Sequence, residues 1–288
     1  MKTFFHSDAD GKASAAIVYN FFNRDMKMLP LSAQSYIPIN YNQEFPFESI
    51  TPYEEVIIVD FSLKEDEFRK LLKITDNVVW IDHHKTAIER FKNFDIDIKG
   101  IRRDGVSGCE LTWEHYYGGK TVPKIISLLG DYDTWKFKYG DETNKLQTGL
   151  RLYDTRPEVY SWKKWLEDDT SLDTIIKDGS IVLKYRRNMF RSLVKSWSYW
   201  TEFEGHKAIV CNAGSVSSQL FDTVRAPYDI MIAWVFDGTN YVVSLYTKSK
   251  DIDVSEIAKK YDGGGHRGAA GFTCSKLPFS GGERYFVR

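Results

Sequence analysis

The sequence contains few cysteines: Cys109, Cys211 and Cys274 are the three among 288 residues. Their number is odd, they lie far apart, and no C-x-x-C pair occurs. The pattern therefore predicts neither a disulfide framework nor a structural zinc site. We interpret the three thiols as inert side chains of the core.

Long apolar runs are also missing. The opening residues MKTFF lead directly into a cluster of histidine and aspartate without an apolar signal region. No apolar stretch approaches the length of a membrane span. We therefore expect no membrane partner and a cytoplasmic location.

A large excess of charge of one sign is absent too. The net charge is −1 and the pI is near 6.6. These values argue against a protein that coats long nucleic acid by charge alone, because that mode of binding needs many Lys and Arg contacts to phosphate. Any nucleic-acid substrate is then short, or is held locally.

Apolar residues are abundant, at 42% of the chain, and their spacing indicates the fold class. Short apolar runs at Thr3–Phe5, Val56–Val59 and Val78–Ile81 alternate with helical patterns at Lys12–Phe22 and Lys64–Lys73. Alternation of strand and helix predicts an α/β fold with a parallel sheet and right-handed crossovers. The chain is long enough to bury a sizeable core.

The character of the sequence changes twice and predicts three parts. Residues 1–152 carry the parallel sheet, residues 153–200 form a charged and aromatic helical connector, and residues 201–288 form a smaller α/β domain with a mixed sheet. A turn signal lies between Ile230–Phe236 and Tyr241–Thr247 in the last part. These two segments should therefore form an antiparallel hairpin.

Acidic and histidine residues follow the apolar runs of the first part. The set is His6, Asp8, Asp10, Asp60, Asp82, His83, His84, Asp131 and Asp133. In parallel sheets ligands lie beyond the carboxyl ends of the strands, so these side chains should converge on one crevice. Oxygen and imidazole ligands in such numbers are what two divalent cations require. We interpret the set as the site of a two-metal phosphoesterase.

Individual positions favour particular roles. Asp8 and Asp10 should each face a metal, with an N-terminal helix cap as the alternative for one of them. Asp60 can bridge two cations with its two oxygens. Two adjacent histidines after a buried strand point to opposite sides, so that one of His83 and His84 can bind metal while the other reaches a substrate phosphate.

Two choices stay open at this point. Asp82 can orient one of the two imidazole rings that follow it. Asp131 and Asp133 are separated by one residue, so their spacing does not decide which of them binds metal.

Taken in order, the motifs resemble those of the DHH/DHHA1 phosphoesterase family. They are H-S-D-A-D-G, V-D, D-H-H-K-T, D-Y-D-T-W and G-G-G-H-R-G-A-A-G-F, and they span nearly the whole chain. The resemblance implies an N-terminal DHH catalytic domain, a C-terminal DHHA1 substrate-binding domain and two metal ions at an interdomain cleft. Mn²⁺ is the expected metal, with Mg²⁺ or Co²⁺ as alternatives. The family includes RecJ-type exonucleases, nano-RNases, phosphatases of adenosine bisphosphate and cyclic-dinucleotide phosphodiesterases.

The resemblance also implies residue roles. It makes Asp8 a ligand of one metal, Asp10 and His83 ligands of the other, and Asp60 the bridge between them. His84 would contact the scissile phosphate, so Asp82, His83 and His84 are the expected catalytic group.

The fourth motif and the first contain further information. D-T-x-x-F at 133–137 resembles the fourth family motif, which favours Asp133 over Asp131 as a ligand. Many members carry a histidine four residues before the first aspartate, where this chain has Phe4. Either His6 serves instead from a different backbone position, or the first metal is bound more weakly.

The glycine-rich run at 263–265, with His266, is a candidate for binding the substrate. Gly263, Gly264 and Gly265 permit positive φ and can bring backbone N–H groups close to an anion, while His266 can donate to phosphate or stack on a base. In the family this loop holds the part of the substrate away from the cut. Related proteins often place an arginine where this chain has Tyr246; the positive charge would have to come from elsewhere, and the candidates are Lys248 and Arg267.

We therefore predict a metal-dependent phosphodiesterase that hydrolyses short RNA or DNA oligonucleotides to mononucleotides. Adenosine bisphosphate and linear or cyclic dinucleotides are the rival substrates, because the same metal site serves all of them. A non-catalytic nucleotide sensor is the alternative of another class, and Phe4 and Tyr246 are the features that favour it. Cleavage polarity, the choice of RNA or DNA and the oligomeric state stay open, with a homodimer among the options.

Overall fold

The computed structural model describes residues 1–24 and 34–285 of the chain. The chain divides into two compact units, Met1–Leu183 and Lys184–Arg288. Within the described ranges, no helix combines the length and the apolar character needed to cross a membrane.

The first unit is built on a four-stranded sheet in which every pairing is parallel. Its strands are β1 (Lys2–His6), β2 (Ser35–Ile39), β3 (Val56–Val59) and β4 (Val78–Ile81), in the spatial order β2-β1-β3-β4. The helices are α1 (Ala9–Asn23), α2 (Glu65–Ile74), α3 (Lys85–Arg90), α4 (Gly108–Tyr117), α5 (Lys124–Asp133), α6 (Asp141–Gly149) and α7 (Ser161–Glu167). Helix α8 (Asp173–Trp197) begins in the first unit and ends in the second.

The central strands of this sheet are buried on both faces, which explains their continuous apolar sequences. All four residues of β3 and of β4 are buried. Ile57 and Val59 pack with Leu111 of α4 on one face, whereas Ile58 packs with Trp80 on the other. The predicted parallel α/β unit is thus confirmed.

Strand β2 was not predicted from the sequence. It contains Pro38, which has no backbone N–H and is tolerated in a sheet mainly on an edge strand. The structure places β2 at the edge, where it pairs with β1 alone and Pro38 lies opposite Phe5. Its apolar signal is weak because an edge strand is only partly covered; Ile39 is its buried residue.

The second unit contains a mixed sheet, as predicted, and this sheet has six strands. Its strands are β5 (Ser198–Phe203), β6 (His206–Asn212), β7 (Ile230–Phe236), β8 (Tyr241–Tyr246), β9 (Gly264–His266) and β10 (Ala269–Cys274), and its short helix is α9 (Val254–Lys259). The order is β5-β6-β7-β8-β10-β9; β6 and β7 are parallel, and the other pairs are antiparallel. The hairpin of β7 and β8 is confirmed, with Phe236 opposite Tyr241.

Two segments of the second unit differ from expectation. The helical pattern predicted to run to Trp200 ends at Trp197, and β5 begins at the next residue. Residues 264–266, expected as a loop, form β9 on the edge of the sheet, with His266 opposite Ala269. Both strands depend on pairing with distant segments, which local sequence does not encode.

The three cysteines are free thiols, in agreement with the absence of a predicted disulfide framework. Cys109 and Cys211 are buried, and Cys274 is half-buried. Burial raises the pKa of the Cys109 thiol well above its ordinary value, which keeps this side chain protonated and unreactive.

Candidate metal centre

The candidate site lies beyond the carboxyl ends of β1, β3 and β4. His6 ends β1, Asp60 follows β3, and His83 and His84 follow β4. Three overlapping groups have potential metal-ligand atoms within 4.8 Å of one another. They are His6, Asp8 and Asp60; Asp60, His83 and His84; and Asp10, His83 and Asp133. The structure therefore brings together seven of the nine residues singled out from the sequence.

Asp60 is at the centre of this arrangement. Its side chain is 1% exposed, and neither carboxylate oxygen makes a hydrogen bond within the described part of the chain. Burial, followed by repulsion from Asp10, Asp8 and Asp133, raises the pKa of Asp60 well above its ordinary value. A buried carboxylate without a hydrogen bond is costly, and a bound cation would remove that cost.

Asp10 is fixed by the start of helix α4. The backbone N–H groups of Gly108 and Cys109 donate to its two oxygens at 2.7 and 2.9 Å. An added Cβ at Gly108 would lie 2.7 Å from the Cβ of Asp60, so glycine is needed for this close approach. The amide groups at a helix N-terminus favour negative charge, and here they hold a carboxylate next to the site.

Asp8 caps a helix with one oxygen and contacts His6 with the other. Its Oδ1 accepts a hydrogen bond from the Gly11 N–H at 2.9 Å and so caps α1. Its Oδ2 lies 2.8 Å from Nδ1 of His6. Burial acts to raise the pKa of Asp8, but the hydrogen bonds from His6 and Gly11 outweigh it and lower the pKa. The cap and a place in a metal-compatible group are therefore compatible.

Phe4 and His6 of β1 lie in different surroundings. Phe4 is fully buried in the core, where its ring centroid lies 4.5 Å from that of Phe45. His6, at the end of β1, is the histidine that lies beside Asp8 and Asp60. The hydrogen bond with Asp8 is the main reason that the pKa of His6 is raised.

The two adjacent histidines have different partners. Nε2 of His83 lies 3.1 Å from Asp60 Oδ1, 3.5 Å from Asp133 Oδ2 and 3.7 Å from Asp10 Oδ2. His84 instead donates from Nδ1 to Asp82 Oδ1 at 2.7 Å. Asp82 can therefore orient the imidazole of His84. This contact uses Nδ1 of the ring, so the second ring nitrogen, Nε2, does not take part in it.

Asp82 and His84 form a hydrogen-bonded pair. Asp82 is fully buried, and its Oδ1 also accepts the backbone N–H of His83 at 2.8 Å. Burial acts to lower the pKa of His84, but the hydrogen bond and charge of Asp82 outweigh it, so that the pKa is raised. This favours the protonated imidazolium, which can donate a hydrogen bond to an anion.

Asp131 and Asp133 lie in different environments. Asp131 accepts hydrogen bonds from the Lys138 and Tyr139 N–H groups at 2.8 and 3.3 Å and from the Thr143 hydroxyl. Burial acts to raise the pKa of Asp131, but these hydrogen bonds outweigh it and lower the pKa. The structure does not bring Asp131 into any of the three metal-compatible groups, whereas Asp133 belongs to one of them.

These environments predict that substitution of Asp131 affects mainly stability, whereas substitution of Asp133 affects mainly metal binding. Asp131→Asn should lower the free energy of unfolding by roughly 1–3 kcal/mol, because buried hydrogen bonds to a charged group are lost. Asp133→Asn should instead weaken Mn²⁺ binding by roughly tenfold or more. Thermal unfolding and calorimetric Mn²⁺ titration of both variants would measure these effects. A larger loss of metal affinity in Asp131→Asn than in Asp133→Asn would contradict the assignment.

Metal binding should depend on pH near neutrality. Burial, then the charges of Asp10 and Asp8, raises the pKa of Asp133 to about 7 in the metal-free protein. A metal binds the carboxylate, so below this pKa a proton must first be displaced and the affinity falls. We expect Mn²⁺ affinity to rise between pH 6 and pH 8, with proton release on binding.

The stability of the metal-free protein should change in the opposite direction. The folded state retains a proton on Asp133 that the unfolded chain loses above about pH 4, so this carboxylate destabilises the fold progressively up to its raised pKa. Calorimetric Mn²⁺ titration in buffers of different ionisation enthalpy would measure the proton release, and calorimetric unfolding of the metal-free protein would measure its stability at each pH. Asp133→Asn is the control for both measurements. An unchanged pH profile in the variant would show that another group is responsible.

The glycine-rich run belongs to the second unit. In Gly265, φ is 144°, and an added Cβ would lie 2.5 Å from the Cα of Ala270, so glycine is required by strand pairing. His266 is exposed, and the Arg267 guanidinium donates to the Lys250 carbonyl. Lys248, the other substitute for the missing arginine charge, lies 3.0 Å from Asp222.

Sequence reasoning missed Tyr41. Its ring stacks on Phe61 at 4.5 Å, and its centroid lies 5.9 Å from those of His6 and His84. The side chain is 57% exposed. Tyr41 lies beyond β2, the strand that was also missed, and an isolated tyrosine in a polar loop carries no signal of its own.

Residues 3–130 match the DHH family, N-terminal domain. Over 95% of its length, the chain is 28% identical to uncharacterized protein R106 of Acanthamoeba polyphaga mimivirus, and it spans 66% of that protein. Over 92% of its length, it is 23% identical to oligoribonuclease NrnB of Bacillus subtilis, spanning 71% of that enzyme. The solved structure of PggH, a pGpG-specific phosphodiesterase from Vibrio, has a similar fold: the TM-score is 0.55 at 16% identity, with 95% and 93% of the two chains covered.

These matches bear on the predictions made from the motifs. The family match covers the part of the chain that contains five of the candidate ligands, His6, Asp8, Asp10, Asp60 and His83. The resemblance to the DHH family that the motifs predict is confirmed for residues 3–130. Residues 3–130 of this chain are therefore similar to the N-terminal domain of the DHH family.

Proposed function

We propose that this protein is a metal-dependent phosphodiesterase that hydrolyses short oligonucleotides to mononucleotides. The observation that carries the proposal is the buried carboxylate of Asp60, which accepts no hydrogen bond in the described part of the chain and belongs to two metal-compatible groups at once. A carboxylate shared in this way suits two neighbouring cations, since each of its oxygens can face one of them.

The donor set supports a divalent metal of intermediate hardness. Of the three groups, one offers His6, Asp8 and Asp60, the second offers Asp60, His83 and His84, and the third offers Asp10, His83 and Asp133. Mixed carboxylate and imidazole donors suit Mn²⁺, which is the metal we propose, in two copies. Bound here, the two ions would lower the pKa of a water and stabilise the attacking and leaving oxygens.

The protein's own residues would orient the substrate around these ions. His84, held by Asp82, would donate from Nε2 to the scissile phosphate, because its Nδ1 is already engaged. The α4 N–H groups hold Asp10 in place before any substrate arrives. Preorganised groups of this kind do not have to reorient during the reaction.

Short oligonucleotides are the proposed substrates for two reasons. The net charge of −1 does not suit long nucleic acid, and two similar proteins are named for acting on oligoribonucleotides and on pGpG. We further propose that His266 and Arg267, with Gly263, Gly264 and Gly265, contribute to substrate binding in a DHHA1 domain.

Incubation with Mn²⁺ and a panel of 5′-labelled RNA and DNA would test the function. The panel should run from dinucleotides to about twenty-mers and include adenosine bisphosphate and cyclic dinucleotides. We expect Mn²⁺-dependent release of mononucleotides, fastest on the shortest strands, and its loss in His84→Ala. Preferential release of inorganic phosphate from adenosine bisphosphate would show that this compound, and not a short oligonucleotide, is the substrate. Tight nucleotide binding without any product would establish a sensor instead.

A further inference from the structure

A cavity beside the candidate metal centre has no role in the function proposed so far. Its volume is about 420 Å³, and Asp8, which belongs to a metal-compatible group, forms part of its wall. The other walls include Lys12 of α1, Gln147 of α6, and Arg151 and Tyr153 just beyond α6. This volume lies in the range of pockets that bind small ligands.

The cavity contains two cations without partners. Across the described ranges, neither the Lys12 ammonium nor the Arg151 guanidinium makes an ion pair or a hydrogen bond. Lys12 acts through space on Asp154, but that carboxylate is engaged mainly by Arg156, at 3.0 Å between Nε and Oδ2. Two such cations at one cavity favour an anionic ligand, and a phosphate in particular.

Gln147, which lines the cavity, carries an unsatisfied polar atom. Oε1 of Gln147 is buried and accepts no hydrogen bond in the part of the chain that the structure describes. A buried carbonyl oxygen without a donor is uncommon in folded proteins.

We propose that this cavity is a subsite for a second phosphate of the substrate and the nucleoside attached to it. Lys12 and Arg151 would bind this non-scissile phosphate. The proposal rests on the function proposed above, and it adds a preference: a dinucleotide with a terminal phosphate should be a better substrate than one without.

Three diadenylates would test this preference. We would compare the 5′-phosphorylated, the 3′-phosphorylated and the unphosphorylated dinucleotide with Mn²⁺, in the wild type, Arg151→Gln and Lys12→Gln. The control is Arg156→Gln, which removes a nearby cation that is paired with Asp154 and does not line the cavity. Thermal unfolding would verify that each variant folds.

We expect one phosphorylated dinucleotide to have the higher kcat/KM in the wild type, and its identity would give the polarity of binding. Arg151→Gln should reduce this preference by roughly tenfold, mainly through KM, because a charge-assisted contact to phosphate is lost. Lys12→Gln should act in the same direction, and Arg156→Gln should retain the preference. Equal use of all three dinucleotides by the wild type would overturn the subsite.

Failure of the proposed function would look different. Hydrolysis of bis(p-nitrophenyl) phosphate with Mn²⁺ measures the metal centre without a terminal phosphate, so its absence in the wild type would argue against the enzyme rather than the subsite. Calorimetric binding of the same dinucleotides to His84→Ala, with and without Arg151→Gln, tests the subsite independently of turnover. Affinities that do not depend on the terminal phosphate or on Arg151 would refute it.

Discussion

Replacing Asp60 with asparagine should abolish activity and at the same time stabilise the metal-free protein. Loss of the shared carboxylate should lower kcat by roughly a thousandfold or more, because both proposed cations depend on it. The free energy of unfolding without metal should rise by about 1–3 kcal/mol, since a buried carboxylate repelled by its neighbours is neutralised. Asparagine also tolerates the positive φ of 52° at this position.

Thermal unfolding with EDTA and with Mn²⁺ would measure both parts of this prediction. Wild-type protein should gain stability from Mn²⁺ by mass action, whereas Asp60→Asn should gain little. Asp76→Asn, which changes an exposed carboxylate of the same unit, is the matched control and should alter neither quantity. A less stable metal-free Asp60→Asn protein with normal Mn²⁺ stabilisation would refute a metal-binding role.

Removal of the His84 imidazole should reduce turnover while leaving the metal centre largely intact. His84→Ala should lower kcat by roughly 10²–10⁴-fold if this ring donates to the substrate phosphate. Asp82→Asn should cost less, about 10–100-fold, because it only loosens the orientation of the ring. Steady-state kinetics and Mn²⁺ titration of both variants would separate the two roles.

The pH profile provides an independent readout for this pair. Asp82 favours the charged imidazole and raises the pKa of His84, so activity that needs the imidazolium should fall as the pH rises through that pKa. In Asp82→Asn this alkaline limb should move to lower pH. His84 also belongs to a metal-compatible group with Asp60 and His83. If His84→Ala loses Mn²⁺ affinity by as large a factor as it loses kcat, His84 is a metal ligand and not a donor to the substrate phosphate.

The strands that lead to the site were predictable because their sequences are continuous apolar runs. Val56–Val59 and Val78–Ile81 have the same bounds in the sequence prediction and in the structure. In contrast, β2 and β5 were missed. One lies at an edge and contains Pro38, and the other follows a long helix without a break in the sequence pattern.

The choice between Asp131 and Asp133 illustrates what spacing cannot decide. Both lie near the end of α5, two residues apart, so they point in different directions from the helix. Asp131 turns towards the N–H groups of the segment that follows α5, and Asp133 turns towards His83. Both partners come from other parts of the chain, and helical spacing contains no information about them.

The sequence by itself determined the kind of chemistry at the site: its composition of carboxylates and imidazoles, the order of its motifs and the parallel sheet that gathers them. Those features are local, since each follows from residue type and from the periodicity of a short segment. The tertiary structure alone decided that Asp60 is buried with no hydrogen bond from the residues described, that Asp82 orients His84, and that Lys12 and Arg151 line a cavity beside Asp8. Burial and hydrogen-bond pairing depend on segments far apart in the chain, so they exist only once the chain has folded.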